Sequence, residues 1–309
     1  MEARAEQSPS VRSLAQGRLL VALAAILWST SGAFTKLLTK DTFLHLNEPE
    51  LPGLLIAFYR ALFAGLALLP ALRPRDISFR WAMVATALCF AAMNALYVVA
   101  MAMGSAANAV LLQYTAPMWM YLASVFWLGE PADRRSSVAL AAGLLGIGII
   151  IYGGWELAQL PVIAIALGSG VTYAGVILGL RVLRGASPRW LTVINHLTGA
   201  VVLLPFIWFA VKAAPSFSQL ALLFIFGAGQ MALPYWLVAR GLRVVSPQEA
   251  GTITLLEPML NPLWAYLVSP ASEKPTLYTL LGGGCIVGAL AWRYWPWRQQ
   301  DKERNNHHE

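Results

Sequence analysis

The chain has 309 residues, of which 58% are hydrophobic and 12% charged, against roughly 25% charged in an ordinary soluble domain. A soluble globule of this length needs far more polar surface. This argues against a soluble enzyme and against a disordered chain, and leaves a polytopic membrane protein whose solvent is mostly lipid. The net charge of +7 suits either nucleic acid or the basic residues of cytoplasmic loops, and their placement decides between the two.

A membrane-crossing helix needs about 20 mostly apolar residues, and ten stretches qualify. The first, 18–38, carries Trp28-Ser29-Thr30-Ser31-Gly32, polar enough to face a cavity. It is too long for a cleavable signal peptide and has a tryptophan at its centre. The second, 53–70, holds Arg60, which would snorkel outward or pair with an acidic group inside the protein. The third, 79–103, sets Asn94 and Tyr97 three residues apart, on one helix face. The fourth, 106–128, contains Gln113, Tyr114 and Pro117, and the fifth, 136–152, the small-residue pair Ala142-xxx-Gly146. The sixth, 161–181, contributes Tyr173, and the seventh, 190–211, Asn195 and His196. A lone histidine there is a hydrogen-bonded packing residue or a pH-sensitive cavity group. The eighth, 218–240, has Gln230, Pro234, Tyr235 and Trp236, and the ninth, 247–269, has Glu257 and Pro258. The tenth, 276–296, has Gly284-xxx-Gly288 and ends among Trp292, Trp295 and Trp297, which with Trp81 suit an interfacial belt.

Glu257 stands about ten residues into its span, roughly 15 Å at 1.5 Å per residue. A carboxylate at that depth would exchange a proton or capture a substrate ammonium, or act structurally on backbone freed by Pro258. Ligand sites combine apolar walls with a few placed polar groups. The expected substrate-binding set is therefore Trp28, Asn94, Tyr97, Gln113, Tyr114, Tyr173, Gln230 and Tyr235. Glu257, Arg60 and His196 are coupling or structural charges, and Pro117 and Pro258 are paired hinges or simple bends.

Sorting the 22 Lys and Arg by loop, with the N-terminus inside, puts 17 on the cytoplasmic side. They include Arg12, Arg18, Arg73, Arg80, Arg134, Arg181, Arg240 and Arg293. Lys36, Lys40, Lys212 and Lys274 fall on the other side and Arg60 within a span. This bias orients both termini to the cytoplasm, favours an even number of spans and removes the need for nucleic acid. The halves also match each other. Ala116-Pro117-Met118 aligns with Glu257-Pro258-Met259 at an offset of 141, as do Ser105 with Ser246 and Ala109 with Ala250. Trp28 aligns with Tyr173 and Lys36 with Arg181 at 145, and Arg60 falls opposite Asn195. Five spans per repeat is odd, so the second copy enters upside down, as in secondary transporters with a midplane site between repeats. The resulting division is a tail 1–17, repeats 18–152 and 161–296, and a tail 297–309.

Leu27-Trp28-Ser29, Arg60, and Glu257-Pro258 after the Ser-Pro-Gln-Glu-Ala stretch at 246–250 resemble the drug/metabolite transporter superfamily, EamA type. Over residues 18–296 the chain is most similar to its YddG-type amino-acid exporter branch. The resemblance implies an all-α basket of ten helices around a central cavity, exporting amino acids, often aromatic ones. One departure stands out: the first repeat has Gly129-Glu130 after its fourth span, and the second has Ser269-Pro270.

The rival readings are an exporter of drugs or organic cations, a membrane-embedded enzyme, and a channel. No catalytic motif or nucleotide-binding loop is present in the sequence, and Cys89 and Cys285 lie in apolar stretches. No cofactor or metal is expected. The expected partners are a small-molecule substrate and the lipid bilayer, with the chain as monomer or homodimer.

Overall fold

The computed structural model describes residues 11–153, 159–210 and 214–294. Among them the chain is helical, without strands. The first rod joins α1 (Val11–Ser29) to α2 (Ser31–Thr39). It bends at Thr30, where Ser29 and Thr30 turn their hydroxyls back onto the carbonyls of Ile26 and Leu27, each at 2.6 Å. The next rods are α3 (Gly53–Leu68) and α4 (Trp81–Met103), then α5 (Ala106–Gln113) with α6 (Ala116–Phe126). They are followed by α7 (Arg134–Gly153), α8 (Leu160–Val182) and α9 (Pro188–Ala210). α10 (Phe217–Phe224) runs through a π-helical turn, Ile225–Ala232, into α11 (Leu233–Gly241). α12 (Pro247–Thr254) is followed by α13 (Leu256–Val268), and α14 (Leu277–Tyr294) closes the series.

Eight of these rods, from Arg12–Thr39 to Phe217–Gly241, are long and apolar enough to cross a membrane, and the protein is a multi-pass membrane protein. The α12–α13 and α14 rods fall outside that set. α12 opens on Pro-Gln-Glu and α13 carries Glu257 and Asn261, while α14 has 18 residues with Arg293 in its last turn.

The element boundaries follow the expected spans closely except at the start. There the described part of α1 already runs from Val11, and Gly17 lets it lie against Val244, Val245 and the Gly241 carbonyl. Exposed Trp81 and Trp127 flank one end of the bundle and Trp208 and Phe217 the other, as an aromatic belt requires. Trp295, Trp297, Lys212, Arg4 and residues 297–309 lie outside the described residues.

Contacts define the two ends of the bundle. At one, Arg18 bonds Glu249 and Arg135 bonds the Trp292 carbonyl; at the other lie Lys36, Gly104 and Glu273. The packing is paired across the halves. α4 lies on α8 as α11 lies on α1, and α4 on α9 as the π-helical turn lies on α3. α3 meets α9 and α7 meets α14, each element facing its own counterpart, and α5 of the fourth rod meets α13 of the ninth.

The counterparts also share details. Ser105 caps α5 and Ser246 caps α12, each accepting from the backbone N–H three residues on. The helices then break at Tyr114–Thr115 and at Leu255, 141 residues apart. Pro117 and Pro258 were expected as kinks within helices. Instead each sits in the first turn of a new helix, where the missing N–H costs nothing. Pro234 falls within a continuous rod, where the π-helical turn passes into α11, and Pro205 and Pro262 lie inside α9 and α13.

α7 and α14 do pack together, but the close approach is at Gly146 and Gly282. A Cβ on Gly146 would stand 2.5 Å from the Gly282 carbonyl oxygen. Gly284 and Gly288, which the small-residue pattern singled out, have nothing within 4 Å.

Candidate functional site

Between the halves lies a cavity of about 200 Å³. Trp28, Arg60, Asn94, Tyr97, Gln113, Tyr114 and Pro117 line it from the first half, and Tyr173, Tyr235 and Glu257 from the second. These ten are residues that the sequence singles out, whereas Met93, Met231 and Leu255, also in the lining, are not. The lining continues through Ile177, Gly251, Thr254, Leu290 and Tyr294 toward the arginine end. Most of the wall is apolar or aromatic, so the few polar groups are the features that can orient a ligand.

The helix breaks place these groups. Tyr114 follows the last residue of α5, and from that break its hydroxyl donates to Glu257 Oε2 at 2.8 Å. It also lies 3.0 Å from the Thr254 carbonyl, which the break after α12 leaves without a helical partner. Trp28 stands beside the bend in the first rod. Gln230 Nε2 donates to its carbonyl at 2.7 Å, and its ring meets Tyr235 edge-on at 5.3 Å. Gln230 therefore holds a cavity residue without lining the cavity.

His196 is also outside the lining. It is buried between the rings of Phe90 and Tyr235, and its Nδ1 donates to the Thr192 carbonyl at 2.8 Å. Its aligned neighbour Asn195 is buried as well. Pro258 is buried in α13 behind Glu257.

Arg60 does not snorkel. Its side chain is 4% exposed, and no carboxylate lies within 4.0 Å of it among the described residues. Nη1 reaches Asn94 Oδ1 at 3.4 Å, with the Asn94 amide held by the Ala57 carbonyl at 2.9 Å. Nη2 reaches Met231 Sδ at 2.8 Å, and the guanidinium lies 4.9 Å from the Phe226 ring and 5.7 Å from the Tyr97 ring. Nε is buried without a partner. Removing such a charge from water costs several kcal/mol, and here the groups in contact with it are all neutral.

Toward the lysine end the cavity stops at buried polar contacts. Ser31 Oγ stands 3.0 Å from the Tyr97 hydroxyl and accepts from Asn261 Nδ2 at 2.8 Å. Gly32 makes this possible, since a Cβ there would meet Asn261 Oδ1 at 2.5 Å. Ser29 accepts from Trp264 Nε1. Beyond this layer Lys36 and Glu273 form an ion pair at 2.6 Å, each 1% exposed. Lys36 Nζ also donates to the Gly104 carbonyl that ends α4, and Glu273 Oε2 accepts from Ala106 N at the start of α5.

A counterpart sits at the arginine end. Arg181, aligned with Lys36, bonds Glu130 at 2.6 Å, with side chains 53% and 40% exposed. That bond holds the Glu130 carboxyl below the usual carboxylate range. Glu273 thus supplies the carboxylate that the second repeat lacked at Ser269-Pro270. Sequence reasoning sorted Lys36 as a loop charge and passed over Glu273, because three-residue spacing beyond Pro270 carries no periodic signal. Asn261 was not singled out either, although its place one turn past Glu257 on the same helix face is a signal that could have found it.

A multi-pass helical bundle with matched halves around a cavity of small-molecule size is the architecture of a membrane transporter. Known proteins give this class a family. The profile of the EamA-like transporter family matches residues 15–152 and again 160–294, and the chain belongs to that family. An uncharacterized transporter of Archaeoglobus fulgidus is 29% identical over 290 residues, covering 91% of this chain and 98% of its own. A crystal structure of a protein superimposes with a TM-score of 0.62 at 18% identity. It covers 90% of this chain and 97% of that one, a likeness of fold.

Proposed function

We propose that the protein is a secondary active transporter that exports neutral amino acids, aromatic ones among them, from the cytoplasm by alternating access. This places it near the YddG-type branch of its superfamily. In this reading the α12–α13 and α14 rods also cross the bilayer, giving ten crossings in two inverted five-helix repeats. The arginine end and both termini face the cytoplasm, across a plasma or bacterial inner membrane.

The observation that carries the reading is the cavity built from both halves. Its lining continues toward the arginine end as far as Gly251 and Tyr294, and at the lysine end stand the Ser31–Tyr97–Asn261 contacts and the Lys36–Glu273 pair. A site that extends toward one face while buried contacts close the other suits alternating access. The two ion pairs support it further: the pair at the closed end is buried, and its counterpart at the other end is exposed.

Within the site, Glu257 exchanges protons or meets a substrate ammonium, with the Tyr114 hydroxyl holding one of its oxygens. Aromatic faces supply the apolar wall. The same wall together with Glu257 favours a second reading, an exporter of organic cations.

Purified protein reconstituted in liposomes and offered a panel of neutral amino acids and quaternary ammonium cations separates the two. Accumulation of an amino acid, with competition by other amino acids, is expected. Accumulation of cations alone would transfer the assignment to the second reading.

A further inference from the structure

Arg60 is a buried charge with no carboxylate in contact with it among the described residues. Its environment consists of one amide oxygen at 3.4 Å, one thioether sulfur and two aromatic rings, with Nε idle. A guanidinium carries five donors in a planar fork matched to the two oxygens of a carboxylate. A thioether is a weak acceptor, so most of that donor capacity is unused.

The side chain lines the central cavity, and the cavity's carboxylate, Glu257, comes from the opposite half with Tyr114 on one of its oxygens. Both charge signs therefore face one small apolar space, more than 4.0 Å apart.

From this we infer that Arg60 is the receptor for a substrate carboxylate, and that the site is built for a zwitterion whose ammonium lies toward Glu257. The inference rests on the transport reading and narrows it: a carboxylate becomes required, and a simple organic cation is a poor ligand because it would leave two positive charges in one cavity. Asn94 is the positioning residue. Its amide is fixed on the Ala57 carbonyl, so its oxygen faces Arg60 and holds the fork while the site is empty.

The test uses the full chain in liposomes and three amino acids, L-phenylalanine, L-leucine and L-threonine, each with its methyl ester and its decarboxylated amine as competitors. For whichever amino acid the parent accumulates best, ester and amine are expected to compete at least ~100-fold more weakly, since a site that bonds a buried polar group rejects analogues lacking it. Arg60→Gln is expected to abolish the preference, so that the amino acid competes no better than its ester. Arg60→Lys is expected to recover part of the discrimination, keeping the charge without the fork.

If the parent accumulates the amino acid but takes ester and amine equally well, the carboxylate receptor is overturned while amino-acid transport stands. Retention of full acid-over-ester preference in a folded Arg60→Gln protein overturns it too. If no amino acid accumulates at all, the transport reading falls first and the inference with it. Should Arg60→Gln not fold, the parent's ester and amine comparison decides alone.

Discussion

Breaking the Lys36–Glu273 pair perturbs the closed end with little effect on the cavity itself. The two charges are 2.6 Å apart and 1% exposed. Removing one partner of a buried pair typically costs about 3–5 kcal/mol, because the other charge is left uncompensated. Glu273→Gln keeps an acceptor for Ala106 N–H but strands the Lys36 ammonium on the Gly104 carbonyl. If the end opens, water relieves that charge, so the cost falls on the closed state alone. At about 1.4 kcal/mol per tenfold, the balance shifts toward opening by roughly 10²–10³·⁵.

Replacing both residues by methionine removes the stranded charge and leaves an apolar contact, which is often neutral or stabilising relative to the pair. The assay is labelling of Ser31→Cys by a membrane-impermeant thiol reagent applied from the lysine side, with Cys89 and Cys285 replaced. Labelling is expected to be slow in the parent, about 100-fold faster or more with Glu273→Gln or Lys36→Met, and near the parental rate in the double methionine variant. Equal rates in the parent and the single variants would refute the reasoning, as would a double variant as open as the singles.

Other consequences follow from the same geometry. Gly146→Ala drives a Cβ into the Gly282 carbonyl, and overpacking of this kind costs about 1–3 kcal/mol. Its melting temperature should drop clearly below that of Gly284→Ala, which meets open space. Glu257→Gln is expected to abolish gradient-driven transport while exchange of substrate across the membrane persists; retained gradient-driven accumulation would remove its coupling role. Pro258→Ala should slow turnover more than it weakens binding, and equal loss of both would count against a hinge at the Leu255 break. Because Arg181 holds the Glu130 carboxyl low, their contact is complete above the ordinary carboxylate value of about 4.3 and is lost as pH falls through the lowered value. Any difference in melting temperature between the parent and Glu130→Gln should therefore be present at neutral pH and vanish in acid; a difference that grows in acid would reverse the assignment.

The rods were legible because lipid demands long apolar helices and the arginine bias marks their ends. The correspondence of Ser105 with Ser246 and of Pro117 with Pro258 was legible too, since caps and helix-opening prolines are local features. What each proline does was not: whether it kinks a helix or begins one depends on where the preceding helix stops. Nor could a small-residue pattern choose between Gly282 and Gly284, which differ by two positions but face different neighbours. The long-range charge relations were the least legible. Glu273 reaches Lys36 from 237 positions away, and Arg60 makes no ion pair within 4.0 Å among the described residues but shares a cavity with Glu257 from the other half. Such pairings arise from tertiary packing and leave no periodic trace.

The central claim is that one cavity serves both faces of the membrane in turn. Counterflow tests it most directly: liposomes containing the protein are preloaded with an unlabelled amino acid, and uptake of the same labelled amino acid is followed. Alternating access predicts that the preload accelerates labelled uptake to a transient overshoot, because each outward trip of the loaded site returns a labelled molecule. Uptake that rises to equilibrium without overshoot, at a rate indifferent to the preload, would contradict it and favour a pore.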